Sequence, residues 1–283
     1  MNSRPEAEAD AERAEFDRVN MTYWDQLTAL HAEGDAYRVQ QFLGGACILD
    51  PLVRSEIGDI AGKSLIHLQC HFGLDTLSLA RLGATVTGVD YSPKGIETAR
   101  RLSVESGVPG TFVESRIEEA PARIAQKFDM AYVTWGALNW LPDLTAWART
   151  VAHVLKPGGF LYLAEFHPLA QAIDIDETGA NGMLAIRYPM VGKAEARRWE
   201  TATDYADEAT PLQHNATWEW NHGLGEVIGA LIGAGLRLAY YKEHPYLAWR
   251  SFPAMIERDE FFFGLPDNLP TIPLAYSLKA VKE

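Results

Sequence analysis

At 283 residues with 47% hydrophobic side chains, the chain suits one α/β domain with a sizeable insertion and has enough apolar material for a real core. Its 25 basic and 38 acidic residues give a net charge of −13, which repels phosphate backbones and argues against nucleic acid as a partner. Cys47 and Cys70 are the only cysteines, so neither a disulfide framework nor a zinc site is expected.

Met1 to Ala14 alternates Ala, Glu, Asp and Arg and reads as a solvated tail without the apolar core of a secretory leader. No run of about 18 apolar residues follows, so neither a membrane span nor a membrane partner is expected, and the compartment reads as cytoplasmic. Phe16 to Ile60 is helix-like, with Trp24, Leu27 and Leu30 at helical spacing and a break at Gly44-Gly45; residues 1–60 read as a tail and helical lid. From Lys63 the pattern alternates. Ser64 to Gln69 is a buried strand, Cys70-His71-Phe72-Gly73 a tight loop, and Leu74 to Leu82 a helix closed by Gly83. Thr85 to Asp90 is the second strand. Ser92-Pro93 then opens a helix as N-cap and first-turn proline, and Gly107 stops it. Thr111 to Glu114 is a strand, Glu118 to Ile124 a short helix, and Phe128 to Thr134 the fourth strand. The helix after Pro142-Asp143 buries Leu144, Trp147, Ala148, Val151, Val154 and Leu155 on one stripe. Lys156-Pro157-Gly158-Gly159 turns into the strand Phe160 to Phe166. This rhythm implies a parallel sheet with helices on both faces.

After His167 the rhythm breaks. Strand-like pieces at Leu184 to Tyr188, Arg198 to Tyr205 and Thr217 to Trp220 make residues 167–221 an antiparallel, substrate-side insertion. A helix over Gly223 to Ala234 and strands at Leu236 to Tyr241 and Ala275 to Val281 complete the core, which takes in residues 61–166 and 222–283. The intervening Glu243 to Pro273 is rich in aromatics and proline.

The first strand, loop and helix form a unit suited to a nucleotide: helix N-termini offer free N–H groups, and glycine lets a ligand approach the backbone. Asp90, about 20 residues beyond the loop, stands where a carboxylate takes ribose hydroxyls. A nicotinamide enzyme would need G-x-G-x-x-G, which Gln69-Cys70-His71-Phe72-Gly73 does not supply.

Six stretches make the likeness specific: Leu68-Gln69-Cys70-His71-Phe72-Gly73, Asp75-Thr76-Leu77-Ser78, Gly88-Val89-Asp90-Tyr91-Ser92, Phe128-Asp129, Asn139-Trp140-Leu141-Pro142-Asp143 and Leu155-Lys156-Pro157-Gly158-Gly159. On these the chain resembles class I S-adenosylmethionine-dependent methyltransferases, in particular a bacterial subgroup with a Leu-Gln-Cys-His-Phe-Gly first loop. The resemblance spans Lys63 to Pro168. It implies a Rossmann-like, seven-stranded, mostly parallel α/β sheet, S-adenosylmethionine as cofactor, and a methyltransferase acting on a small-molecule acceptor. It also implies roles. Gln69, His71 and Gly73 would pass under the methionine part, Asp90 would hold the ribose with Tyr91 and Ser92 beside it, Arg116 and Ile117 would face the adenine, and Thr134 and Trp135 would flank the methyl group. The sequence departs from the family pattern in having one glycine where three are usual, His67 where an acid is frequent, and Arg116 where an acid often sits.

In-line methyl transfer needs alignment, exclusion of water and, for neutral acceptors, a base. The candidate bases are His167, His222 and His244, each following a sheet element on the ligand-binding edge; each suits a structural or solvent-facing role better than catalysis. Trp199, Tyr205, Trp218, Trp220, Tyr246, Trp249 and Phe252 suit an acceptor pocket or core packing, and Phe261-Phe262-Phe263 a core plug, a lid or a dimer contact. Trp24 and Tyr37 are placed to close over the cofactor. A methyltransferase fold reassigned to elimination or cyclisation, or a non-catalytic ligand-binding subunit, is the alternative. A homodimer is left open.

Overall fold

The computed structural model describes residues 6–174, 184–207 and 209–283. Three helices precede the first strand: α1 (Glu6–Glu33), α2 (Val39–Leu43) and α3 (Pro51–Glu56). The alternating region then runs β1 (Ser64–Leu68), α4 (Leu74–Arg81), β2 (Thr85–Asp90), α5 (Pro93–Ser106), β3 (Thr111–Glu114), α6 (Ala120–Arg123), β4 (Phe128–Thr134), α7 (Leu144–Val154) and β5 (Leu155–Phe166). The remainder is α8 (Pro168–Ala172), the hairpin β6 (Arg197–Glu200) and β7 (Ala216–Glu219), α9 (Leu224–Gly233), β8 (Leu236–His244), β9 (Tyr246–Leu247), β10 (Ile256–Glu257), β11 (Phe263–Gly264) and β12 (Ala275–Lys282).

The large sheet has seven strands in the order β3-β2-β1-β4-β5-β12-β8. Pairs from β3 to β5 are parallel, and β12 runs antiparallel to both of its neighbours. Strand order reverses between β1 and β4, so the two loops that leave their C-terminal ends diverge and open a crevice. Helices cover both faces. On one, Trp147, Val151 and Val154 of α7 pack with Val227 and Leu231 of α9 against Ile66, Ala131 and Leu161. On the other, Val53 of α3 and Leu79 of α4 pack against Tyr132 and Tyr162.

Local chemistry sets the element ends as expected. Ser92 Oγ accepts from Gly95 N (2.9 Å) to cap α5, and Asp143 Oδ1 caps α7 through Thr145 and Ala146. The Lys156-Pro157-Gly158-Gly159 segment differs from expectation: it lies inside the bounds of β5, as an irregularity between the paired residues Leu155 and Phe160, rather than preceding the strand. A Cβ on Gly159 would stand 3.0 Å from the carbonyls of Lys156 and Phe128, so the backbones approach too closely for a side chain. Lys156 Nζ fixes the same corner by reaching both carboxylate oxygens of Asp129 at 2.9 Å.

The expected tail also differs. Met1 to Pro5 and the stretch 175–183 of the insertion lie outside the described residues, but Glu6 onward is helical. Partners distant in sequence hold this part of α1: Arg13 pairs with Glu118, and Asp17 with Arg116. No helix among the described residues is long and apolar enough to cross a membrane.

Candidate cofactor groove and acceptor pocket

The loop from β1 to α4 reverses direction through three left-handed residues in five: Gln69 (φ 59°), His71 (φ 51°) and Gly73 (φ 75°). Non-glycine residues in this region cost about 1–2 kcal/mol each, so fixed bonds must hold them. Gln69 Nε2 donates to Ala137 O (2.5 Å), Cys70 N to Val89 O (2.9 Å), and His71 N to Asp90 Oδ2 (2.8 Å). At Gly73 a Cβ would lie 2.5 Å from the Phe112 ring and 2.8 Å from Ala99 Cβ, so the packing and the left-handed backbone both call for glycine there.

Asp90 ends β2 and is 8% exposed. Its two oxygens accept from His71 N and Ser92 N, while burial raises its pKa from 3.8 to about 6. Ser92 Oγ donates to Asp25 Oδ1 of α1 (2.6 Å). Tyr91 lies between Asp90, Asp17, Asp25 and Arg116, and burial pushes its hydroxyl well above its usual range. Ile117 sits in the core against α7, and Arg116 is paired with Asp17.

The crevice's other wall follows β4. Trp135 (φ 50°) and Gly136 (φ 74°) are both left-handed. Glu165, 3% exposed near the end of β5, holds this loop: its carboxylate accepts from the backbone N–H of Gly136, Ala137, Leu138 and Phe166 at 2.6–2.8 Å. Burial raises its pKa although the four donors oppose the shift. Trp135 Nε1 donates to Asp50 Oδ2 (2.8 Å), and Tyr132 OH donates to Asp75 Oδ2 (3.1 Å). Burial, reinforced by the charge of Asp50, raises Asp75 to about 7. Thr134 also hydrogen-bonds Asp75. His67 does not face this group; its Nδ1 bonds Thr76 Oγ1 (2.8 Å), and burial lowers its pKa to about 3, leaving a neutral core histidine.

The expected cofactor residues Gln69, His71, Gly73, Asp90, Tyr91, Ser92, Arg116, Thr134 and Trp135 therefore gather along one sheet edge. α1 crosses that edge, touching Arg116 through Asp17, Ser92 through Asp25 and His71 through Trp24, whose ring centroid is 4.9 Å from that of His71. The face of α1 buried here is mostly polar, comprising Asn20, Tyr23, Leu27, Thr28 and His31. Four polar atoms at this end have no hydrogen-bond partner among the described residues: Gln69 Oε1, His71 Nε2, Asn139 Oδ1 and His31 Nδ1. Buried polar groups are rarely left so, which makes this end of the sheet the candidate site for a polar ligand.

The three candidate bases occupy separate positions. His167 Nδ1 caps α8 by accepting from Leu169 N (3.1 Å), and its Nε2 lies 3.6 Å from Glu243. His222 ties α9 to the loop before α7, with Nε2 on Leu141 O (2.7 Å) and Nδ1 on Glu226 Oε2 (3.0 Å). His244 Nε2 bonds Ser277 Oγ (2.9 Å) between paired strands. Sequence reasoning missed Asp50, Asp75, Glu165, Asn139, His31 and Asp204. Asp75 and Asn139 lay inside the matched stretches without a role assigned to them, and Glu165 stood out as a lone acid inside an apolar strand.

The aromatic residues also divide. Tyr205 and Trp249 join the crevice, where Trp249 packs on Phe166 (4.0 Å) and Trp135 (6.4 Å). Trp218 and Trp220 pack on Phe16, Trp199 packs on Tyr188, Phe252 is core, and Phe262 lies against Tyr246.

Residues 66–163 match the family model described as a methyltransferase domain. The chain is 28% identical over 157 residues to a ubiquinone biosynthesis O-methyltransferase of Proteus mirabilis, an alignment covering 50% of this chain and 64% of that protein. A protein of the same name from Methylobacterium sp. is 30% identical over 179 residues, covering 61% of this chain and 70% of its own length. Among solved structures, an S-adenosylmethionine-dependent methyltransferase from Mesorhizobium loti aligns over 85% of this chain and all of its own, with 22% identity and a TM-score of 0.55. That last likeness is one of fold.

Proposed function

Because this chain belongs to the class I S-adenosylmethionine-dependent methyltransferases, we propose that it moves the methyl group of S-adenosylmethionine to a small-molecule acceptor by in-line displacement within this crevice. The observation that carries the reading is the convergence of the strained Gln69–Gly73 loop, buried Asp90 and the Glu165-held loop at the switch point of the sheet. The residues present fit the cofactor: Gln69 Oε1 and His71 Nε2 are buried polar atoms without partners, and Asp90 retains acceptor capacity beyond its two backbone bonds.

Asp90 would accept the ribose hydroxyls, with Tyr91 and Ser92 beside it. Gln69, His71 and Gly73 would bound the methionine portion, Thr134 and Trp135 would face it from β4, and Arg116 with Ile117 would border the adenine. The group supplies a sulfonium-activated methyl when bound. The protein's share is alignment and dryness: Glu165 fixes the Gly136–Leu138 backbone, and α1 covers the groove. On this reading residues 1–60 serve as lid, 61–166 and 222–283 as core, and 167–221 as the substrate-side insertion. The O-methyltransferase names of the relatives support an oxygen acceptor.

Calorimetric titration of the whole chain with S-adenosylmethionine and S-adenosylhomocysteine tests this. Micromolar binding that Asp90→Ala weakens at least tenfold, about 1.4 kcal/mol, is expected. A folded protein that binds neither ligand overturns the reading.

A further inference from the structure

The loop that Glu165 holds leads to a polar group that cofactor binding leaves unused. Asn139 is 7% exposed, and its Nδ2 donates to Glu219 Oε2 at 3.0 Å. Thr217 Oγ1 donates to the other oxygen of Glu219 at 2.9 Å, so that carboxylate is fixed from both sides. The Asn139 amide is thereby oriented, and its Oδ1 is left buried with no hydrogen-bond partner among the described residues. This oxygen borders a gap at Gly136. Beyond its chain neighbours, a Cβ placed on Gly136 would find as its nearest atoms Trp249 Cη2 at 3.8 Å, Asn139 Oδ1 at 3.9 Å and Phe166 Cζ at 3.9 Å. The bare glycine thus leaves room between two rings and one amide oxygen. Trp135, Gly136, Phe166 and Trp249 are all partly exposed, so this room opens outward instead of closing into core. It lies directly after Thr134 and Trp135, the two residues read as flanking the methyl group. The charge around it is one-sided. Burial pushes up the carboxyls of Asp50, Asp75, Glu165 and Glu219, and among the described residues none of the four pairs with a lysine or arginine.

We propose that the methyl acceptor is the nitrogen of a neutral amine, seated in this gap by an N–H bond to Asn139 Oδ1, with Glu219 as the positioning residue that orients the amide. The proposal rests on the methyltransferase reading above, and it departs from the oxygen that the relatives' names favour. The polar atom at the gap decides the point. An amide oxygen accepts a hydrogen bond but does not take a proton. A neutral hydroxyl would have to shed its proton as the new bond forms, and a phenolate would be repelled by the surrounding carboxylates. An amine meets neither difficulty, because its lone pair is free to attack while an N–H stays on Asn139. The step balances. The nitrogen forms the new bond to the methyl carbon, the carbon–sulfur bond pair returns to sulfur as a neutral thioether, and the positive charge passes from sulfonium to ammonium. That ammonium stands beside the rings of Phe166 and Trp249 in a negative crevice, which favours it, and water later takes its extra proton. A purely structural Asn139 would need the Glu219 contact and the bond from Trp220 N to its backbone oxygen, and would gain nothing from a buried Oδ1 without a donor.

Aniline, phenol and toluene test this, since they present one ring with an amine, a hydroxyl or a methyl group. Aniline and toluene are titrated into the whole chain saturated with S-adenosylhomocysteine, and aniline and phenol are incubated with the chain and S-adenosylmethionine. Wild type is expected to bind aniline about tenfold more tightly than toluene, and to methylate aniline about tenfold faster than phenol. Asn139→Ala is expected to bind S-adenosylhomocysteine and toluene within about twofold of wild type and to lose the preference for aniline. Glu219→Ala, which releases the amide, should lower that preference by a factor of about 3. Glu219→Gln should restore it, because the glutamine can keep its oxygen on Asn139 Nδ2 and turn its nitrogen to Thr217 Oγ1. Wild type that binds S-adenosylhomocysteine but binds aniline no better than toluene overturns the proposal, as does faster methylation of phenol than of aniline, or Asn139→Ala with the preference intact. Wild type that fails to bind S-adenosylhomocysteine overturns the methyltransferase reading instead.

Discussion

Asp90 holds a burial-raised carboxyl against two backbone N–H groups, and its pKa of about 6 makes it a reporter of whatever occupies the groove. A raised folded-state pKa means that the native protein holds this proton more tightly than the unfolded chain. Its contribution to stability, about 3 kcal/mol, is therefore full below the ordinary pKa of 3.8 and is lost as pH rises through about 6. Ligand binding runs the opposite way, because ribose hydroxyls donate to the ionised form. S-adenosylhomocysteine should accordingly bind about tenfold more tightly at about pH 7 than at about pH 5. Asp75, raised to about 7, faces the same crevice with Asp50, whereas His71 stays neutral because burial lowers its pKa well below the usual range. Asp90→Asn separates these contributions by flattening the profile below about pH 6. A wild-type affinity that does not change across this window removes Asp90 from the ribose.

α1 is held to the rest of the molecule by ring packing at Phe16 and Trp24 and by polar bonds. Asn20 acts as an added rung of the β6–β7 hairpin: its Oδ1 accepts from Trp218 N and its Nδ2 donates to Trp218 O, both at 2.8 Å. Gln26 repeats the device by accepting from Gln213 N and His214 N. Truncating Asn20 leaves both Trp218 groups without that partner, at a cost of about 2 kcal/mol. Asn20→Ala should therefore expose residues 216–219 to amide hydrogen exchange by a factor of about 30, with little change in the protection of β1 and β4. Equal loss of protection in both regions would mean that helix and hairpin unfold only with the whole domain. The same element places Tyr23, Trp24 and His31 over the crevice, so a lid detached by this route should also bind cofactor less tightly.

At the scale of the whole molecule, one groove joins groups from α1, the strand ends and the insertion. A ligand that bridges them stabilises all of them together. With free S-adenosylhomocysteine at about 100 times its Kd, linkage adds about 2.7 kcal/mol, which raises Tm by about 5–10 °C. Asp90→Ala, binding about tenfold more weakly, should keep about half of that shift at the same concentration. A Tm indifferent to ligand would show that the three parts do not share the site.

The sequence by itself determined the repeating architecture. β2, β3 and β4 lie where the sequence placed them, and β4, buried at six of its seven residues, is the nearly continuous apolar run expected of a parallel strand covered on both faces. Helix ends at Ser92, Gly107 and Asp143 follow from capping chemistry that acts within three residues. Asp90 and the Gln69–Gly73 loop were legible for the same reason, since a strand end and the turn after it are local objects. Only the tertiary structure decided which polar side chains meet. His31 and Asp204 are 173 residues apart, Asn20 and Trp218 are 198 apart, and nothing in the local pattern of either partner reveals the other. Glu165 reads as an anomaly in an apolar strand until the fold brings four backbone donors around it. Periodicity records which face of an element is buried; the partner of a buried charge is set by chain crossings that leave no period in the sequence.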